Sequence, residues 1–355
     1  MAEKTQLPLG KISPEIFEEV IYPRLGAGDP RVLVGPRSGV DAAIVDVAPG
    51  RVMAVTTDPF YVVPAYGWER AAWFAVHILA SDLGTTAIAP QMMSIDLNLP
   101  VSIDRESFER LWAGVDDACR ALGIAVVTGH TARYAGCDYP MVGGASMFGF
   151  GEASRYVTPA MARPGDAVVV TKGPAIEATG LFASTFPELC RAGLGDDMAR
   201  RAEAVFWKMS CVEDARVASS VGVRDDGVSA MHDATECGVD GGLYEIARAS
   251  NVGMFVDHDA LPVPEEVAAV CRLFKIDPFI SISEGTLLLT CRPHKADAVL
   301  GALRSAGIDA SVVGECRPPE DGLVVREGGV ERPLRHPRID PFWAAFQEAW
   351  ERRPQ

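Results

Sequence analysis

Three aspartates in the first quarter of the chain, each set against an apolar run, constrain its folding more than any other feature. Asp41 stands between Ser38-Gly39-Val40 and Ala42-Ala43. Asp58 closes Val52-Met53-Ala54-Val55-Thr56-Thr57, and Asp82 follows Ala75-Val76-His77-Ile78-Leu79-Ala80-Ser81. A carboxylate beside a buried run costs desolvation free energy unless something positive offsets it. Taken singly, each is explained as a cap or turn residue. Several from separate elements suggest a hard cation, with Mg²⁺ bridging to phosphate as the leading candidate, and so point to ATP chemistry.

At 355 residues the chain is long enough for two domains, and 48% hydrophobic residues supply a sizeable core. The net charge of −15 and a pI near 4.9 oppose binding to nucleic acid or anionic membranes. The start Met1-Ala2-Glu3-Lys4-Thr5 lacks a basic-then-apolar pattern, and no run is long enough to span a bilayer. Eight cysteines without a Cys-x-x-Cys pair give no support to zinc or iron–sulfur chemistry and fit reduced thiols. A cytoplasmic location is the expectation.

Strand patterns at 42–47, 52–57, 91–99 and 141–150 and helical patterns at 67–83 and 104–122 predict a mixed first half. Ile124 to Val127 reads as a buried strand. In the helical pattern Asp82 shares one face with Trp68, Ala71, Ala72, Ala75, Ile78 and Leu79, so it points inward. Ala162-Arg163-Pro164-Gly165-Asp166 marks a boundary, and beyond it strands alternate with helices in a second α/β layer. Asp340-Pro341 is a helix start, and Trp343, Phe346 and Trp350 form the stripe by which that helix docks on the body or a partner subunit.

Other stretches carry chemistry. Thr128-Gly129-His130-Thr131 follows an apolar strand, where backbone N–H groups can approach a phosphate. Lys172, in Thr171-Lys172-Gly173-Pro174, is placed to neutralise phosphate or to serve as a solvated loop residue. The Gly-Lys-Ser/Thr order of a P-loop is absent. Met231-His232-Asp233-Ala234-Thr235-Glu236-Cys237-Gly238 runs from a strand into an acidic, glycine-rich turn. Asp233 and Glu236 there can hold a metal or a substrate amine, and Cys237 reads as a packing residue.

These residues together resemble a family. Gly10-Lys11-Ile12-Ser13-Pro14-Glu15, the Gly39-Val40-Asp41-Ala42-Ala43 element, Thr57-Asp58, Ser81-Asp82, Gly129-His130-Thr131, Lys172-Gly173-Pro174 with Ile176-Glu177, the Asp233 loop and Ser283-Glu284-Gly285-Thr286 fall in one order. That order is similar to the superfamily of aminoimidazole ribonucleotide synthetase (PurM), thiamine-monophosphate kinase, selenophosphate synthetase and the hydrogenase maturation protein HypE, with HypE the nearest branch. The resemblance implies an α+β fold. A PurM-like N-terminal domain over 1–162 would bind ATP and Mg²⁺ and form a homodimer through its sheet. A PurM-like C-terminal domain over 163–336 and a tail helix over 337–355 would follow. It implies Asp41, Asp58 and Asp82 as ligands of Mg²⁺, and Thr57, Gly129, His130, Thr131 and Glu177 with them at the nucleotide. Asp82, Lys172 and Asp233 would be catalytic.

The departures matter as much. Many relatives carry an acid at the position of His130, and Cys237 replaces a common glycine. HypE ends in Pro-Arg-x-Cys, whose cysteine carries a carbamoyl group, whereas Pro337-Arg338-Ile339 is followed here by Asp340. A carboxylate cannot form the thiocarboxamide that HypE dehydrates. The expectation is an ATP- and Mg²⁺-dependent enzyme that phosphorylates an amide or carboxyl oxygen of a small-molecule substrate or a partner protein. The alternatives are a small-molecule kinase resembling thiamine-monophosphate kinase and a non-catalytic nucleotide-binding subunit.

Overall fold

The computed structural model describes residues 14–352. The Gly10–Ser13 part of the opening motif lies outside them. A short helix α1 (Pro14–Ile16) leads into a six-stranded sheet. Its strands are β1 (Val32–Val34), β2 (Ala43–Ala48), β3 (Arg51–Tyr61), β4 (Met92–Leu99), β5 (Ala125–Arg133) and β6 (Met141–Glu152), in the order β1-β2-β3-β6-β4-β5. Only β4 and β5 pair parallel within it.

Helices α2 (Trp68–Gly84) and α3 (Arg105–Leu122) cover one face. Period-two alternation dictates which face: Val52, Ala54 and Thr56 of β3 are buried, while Met53 and Val55 are half-buried on the other side. Leu79, Leu83, Met93, Leu97, Leu111 and Met147 fill the layer between sheet and helices. Asp104 caps α3 by accepting the Ser107 N–H at 2.7 Å.

A seven-stranded sheet follows, in the order β13-β12-β9-β11-β7-β10-β8. Its first strand and the helices after it are β7 (Ala167–Thr171), α4 (Ile176–Thr185), α5 (Pro187–Leu194), α6 (Asp196–Ala204) and α7 (Val212–Ser220). Then come β8 (Val228–Asp233), α8 (Gly238–Ser250), β9 (Gly253–Asp257), α9 (Glu265–Phe274), β10 (Leu287–Cys291), α10 (Ala296–Ser305) and β11 (Ala310–Arg317). Strands β12 (Leu323–Glu327) and β13 (Val330–Pro333) and helix α11 (Pro341–Arg352) complete the chain. Helices cover both faces of this end of the sheet, so β10 and even the terminal strand β8 are buried throughout. Val168, Val170 and Leu288 face Leu243 and Ile246 of α8, whereas Val169, Leu287 and Leu289 face Ala215 of α7 and Leu303 of α10.

A third core welds the halves together. Phe182 of α4 stacks on Phe274 of α9 at 3.9 Å, and Phe342 and Phe346 of α11 close over it. Tyr66 and Phe74 from the first half pack on Phe206 in the same cluster. The tail helix therefore docks on its own chain.

Two expectations need correcting. The strand expected to be buried at 124–127 is the edge strand β5, with Val126 40% and Val127 53% exposed. Burial fails because β5 lies at the edge beyond the helix layer, with residues on both of its faces exposed. Thr128 to Arg133, read above as following the strand, is the strand itself, paired with β4 from Ser94 to Leu99. No helix among the described residues is long and apolar enough to cross a membrane.

Candidate functional site

The seam between the two sheets gathers carboxylates from six places in the chain. Asp41 precedes β2, Asp58 lies in β3, Asp82 near the end of α2, Asp233 at the end of β8, Glu177 in the first turn of α4 and Glu284 just before β10. Asp58 shares the α2-facing side of β3 with Thr56, by the alternation that buries Thr56. Thr56 Oγ1 lies 2.7 Å from Asp82 Oδ2 and 3.0 Å from the Asp41 carbonyl. The Thr56 hydroxyl donates toward both oxygens and so ties the Asp41 turn to the end of α2.

Burial raises the Asp82 carboxyl well above the usual range, and the charges of Asp233, Asp58 and Asp41 raise it further. Burial likewise raises Glu284, with Asp233, Glu177 and Asp82 adding to it. Glu177 is pushed up to about 8 by burial, although the Glu284 N–H donates to it at 3.0 Å and opposes the rise. A site whose buried acids raise one another in this way is short of positive charge.

One imidazole stands among these acids. His232 Nδ1 is 2.7 Å from Asp41 Oδ1 and 3.7 Å from Asp233 Oδ1, and Nε2 is 2.8 Å from Glu245 Oε2. Burial pushes this imidazole down, but Asp41 and Glu245 overcome it and the net shift is upward. Asp41 Oδ2 is buried with no hydrogen-bond partner among the described residues. Donor atoms of Asp41, His232 and Asp233 lie within 4.8 Å of one another. An orphaned oxygen among mutually repelling carboxylates fits a divalent cation.

The loop after β8 closes one side. Cys237 takes φ +66°, a left-handed conformation suited to glycine, and its N–H donates to Asp340 Oδ2 at 2.7 Å. Burial, followed by nearby acids, pushes its thiol up to about 12, so it holds its proton as a packing residue. Asp340 Oδ1 accepts the Phe342 N–H at 2.8 Å and so caps α11. Burial pushes Asp340 up to about 6 against those two donors. The residue that stands in place of a carrier cysteine thus ties the tail helix to the loop.

The structure brings Asp41, Asp58, Asp82, Glu177 and Asp233 together and leaves the other candidates elsewhere. Lys172 Nζ donates to Asp214 Oδ2 at 2.9 Å and to the Ser210 carbonyl at 2.7 Å, in a pair whose side chains are 12% and 4% exposed. Thr57 faces the open side of the sheet, where its hydroxyl meets Ser146 at 2.7 Å. Gly129 shares a register row with Asp58 through Ala145 and Ile95. It therefore stands three strands, about 14 Å, from Asp58 in the same chain. His130 Nε2 contacts the Tyr134 hydroxyl at 3.2 Å on that exposed edge.

Glu284, Glu245, His232 and Thr56 carry no assigned role in the sequence reading. A signal existed for two of them. Glu284 precedes the apolar Thr286–Thr290 run much as Asp41 precedes its own, and Glu245 falls on the glycine-lined face of α8 one turn beyond Gly241 and Gly242.

Residues 39–150 match the AIR synthase related protein, N-terminal domain, and residues 163–325 match the AIR synthase related protein, C-terminal domain. The chain is 27% identical to carbamoyl dehydratase HypE of Rhizobium leguminosarum bv. viciae, over 78% of this chain and 77% of that one. It is 28% identical to selenide, water dikinase of Geobacter metallireducens, over 89% and 95%. A solved structure of the hydrogenase maturation protein HypE in complex with ATP superposes with a TM-score of 0.65 at 24% identity, over 94% of this chain and 98% of that one. With both domain models matched in order over most of its length, the chain belongs to the AIR synthase related protein family, a PurM-like member close to HypE.

Proposed function

We propose that the chain is an ATP- and Mg²⁺-dependent enzyme that activates an amide or carboxyl oxygen by phosphorylation. The observation that carries this reading is the convergence of Asp41, Asp58, Asp82 and Asp233 on one seam, where burial and the neighbouring acids raise the Asp82 carboxyl. The names of its relatives, a carbamoyl dehydratase and a dikinase, and a similar fold solved with ATP, support it. Asp41, Asp58 and Asp82 would hold Mg²⁺. Bound there, the ion would neutralise charge on the phosphates.

The chain's own groups supply the rest. Thr56 orients Asp82. Glu177, with its carboxyl near 8, carries a proton at neutral pH and can donate it to an oxygen at the seam. Lys172 is held by Asp214 and positions the segment Ser210–Asp214 against α2, where the Cys211 N–H donates to Ser81 Oγ at 3.1 Å.

A second copy of the chain would be its partner. The sheet face away from α2 and α3 carries Val55, Met92, Phe148 and Phe150, with Met92 39% exposed. A homodimer through this face would let Gly129, His130 and Thr131 of one copy reach a nucleotide held by the other. On this reading 1–162 is the ATP-binding and dimer-forming domain, 163–336 the second domain and 337–355 its tail, and the enzyme works in the cytoplasm.

The buried Asp340 favours a diffusible acceptor over a tethered one. A tail locked to Cys237 and capping its own helix is not a swinging carrier. This brings the small-molecule kinase reading level with activation of a partner's oxygen. Measuring ADP formation with and without Mg²⁺, across amide, carboxylate and alcohol acceptors, tests the proposal. ATP binding without ADP formation from any acceptor would overturn it in favour of an accessory subunit.

A further inference from the structure

The seam also holds a donor for which magnesium has little preference, the imidazole of His232. Its setting is that of a metal-bound histidine. Nε2 is fixed at 2.8 Å from Glu245 Oε2, and Glu245 Oε1 in turn lies 3.7 Å from His336 Nε2. A carboxylate on the far nitrogen sets the tautomer and leaves the near nitrogen's lone pair for a cation. The near nitrogen, Nδ1, faces Asp41 Oδ1 at 2.7 Å, an approach without hydrogen-bond alignment, and Asp233 Oδ1 at 3.7 Å. The side chains of His232 and Asp41 are 2% and 7% exposed, and Asp41 Oδ2 has no hydrogen-bond partner among the described residues.

Two glycines let these groups meet. A Cβ on Gly39 would come within 2.8 Å of Glu245 Cβ, at φ +72°. A Cβ on Gly242 would fall 2.4 Å from Leu288 Cδ1 and 3.4 Å from the His232 ring. The turn before β2 can therefore press Asp41 against the end of β8, where His232 and Asp233 stand.

We propose that Asp41, His232 and Asp233 form a cation site with one nitrogen donor and carboxylate oxygens, selective for a divalent transition ion such as Mn²⁺ over Mg²⁺, with Glu245 as its positioning residue. Oxygen-only shells suit Mg²⁺, whereas an imidazole donor shifts preference toward the later divalent ions. The inference rests on reading the seam as a cation site, and not on ATP, because all three donors belong to one chain. Asp41 belongs to both sets through its two oxygens. The ion would tie the first sheet to the second, fixing the seam before nucleotide arrives.

The test uses the full-length protein, stripped with chelator and free of nucleotide, titrated with Mn²⁺ and with Mg²⁺. Expected are one tight Mn²⁺ per chain, a preference over Mg²⁺ of about tenfold or more, and ¹⁴N modulation in the Mn²⁺ electron spin echo. His232→Gln should abolish the modulation and the preference. Glu245→Gln should keep the modulation while weakening Mn²⁺ by about 10–100-fold. Circular dichroism melts verify folding of both variants, and if neither folds the wild-type echo decides alone. Mn²⁺ bound without ¹⁴N coupling would overturn the proposal, leaving His232 as an imidazolium salt-linked to Asp41 and Glu245. ATP binding with Mg²⁺ but no ¹⁴N signal sinks this inference alone. A ¹⁴N signal in a protein that never binds ATP sinks the proposed function alone.

Discussion

Replacing Glu177 by Gln should flatten the pH dependence of stability in the metal-free protein. The Glu177 carboxyl is pushed from 4.5 to about 8, chiefly by burial. The folded pKa exceeds the unfolded one, so across that interval the native chain keeps a proton that the unfolded chain has released. Stability from this group is fully present below the unfolded pKa and is lost as pH rises toward the folded value, at about 1.4 kcal/mol per pH unit. Between about pH 5 and pH 7 this amounts to roughly 2 to 3 kcal/mol. Glutamine keeps the shape, accepts the Glu284 N–H and does not titrate. Urea unfolding of both proteins in chelator measures the difference. Wild type should lose roughly 2 to 3 kcal/mol more than Glu177→Gln over those two units. Parallel pH profiles would refute the argument that burial raises the Glu177 carboxyl.

Other outcomes follow from single contacts. Lys172→Met leaves Asp214 buried without its cation and should cost about 3 to 5 kcal/mol in urea unfolding, with most of the loss recovered by adding Asp214→Leu. Asp340→Ala removes the cap of α11 and the acceptor for the Cys237 N–H, and should cost about 1 to 2 kcal/mol while red-shifting tryptophan emission from the tail helix. Met92→Glu with Val55→Glu places two charges on the open face of the first sheet and should convert a dimer to a monomer in sedimentation without lowering the melting temperature of the monomer.

The elements were legible where periodicity was strong. Helix α2, with Asp82 on its inner face, follows from the spacing of Trp68, Ala71, Ala75, Ile78 and Leu79. The Asp340-Pro341 start of α11 follows from capping chemistry. Strand β5 was misjudged because Ile124 to Val127 is as apolar as a core strand, and only the strand order, set by distant pairing, puts it at the edge. Strand β13 carries Glu331, Arg332 and Pro333, which show no apolar alternation to read. At the site, the aspartates announced themselves by standing beside apolar runs. Lys172 did not disclose Asp214, its partner 42 residues away. Nor could local pattern show that His232 spans Asp41 and Glu245, since that geometry exists only when the two sheets meet.

Asp41, Asp58 and Asp82 are proposed to hold the magnesium of bound ATP. Calorimetric titration of a non-hydrolysable ATP analogue into wild type and Asp58→Ala, each with and without Mg²⁺, tests it most directly. Wild type should gain more than about tenfold in affinity from Mg²⁺, about 1.4 kcal/mol, and Asp58→Ala should lose that gain while staying folded. Equal Mg²⁺-dependent affinity in the two proteins would contradict it.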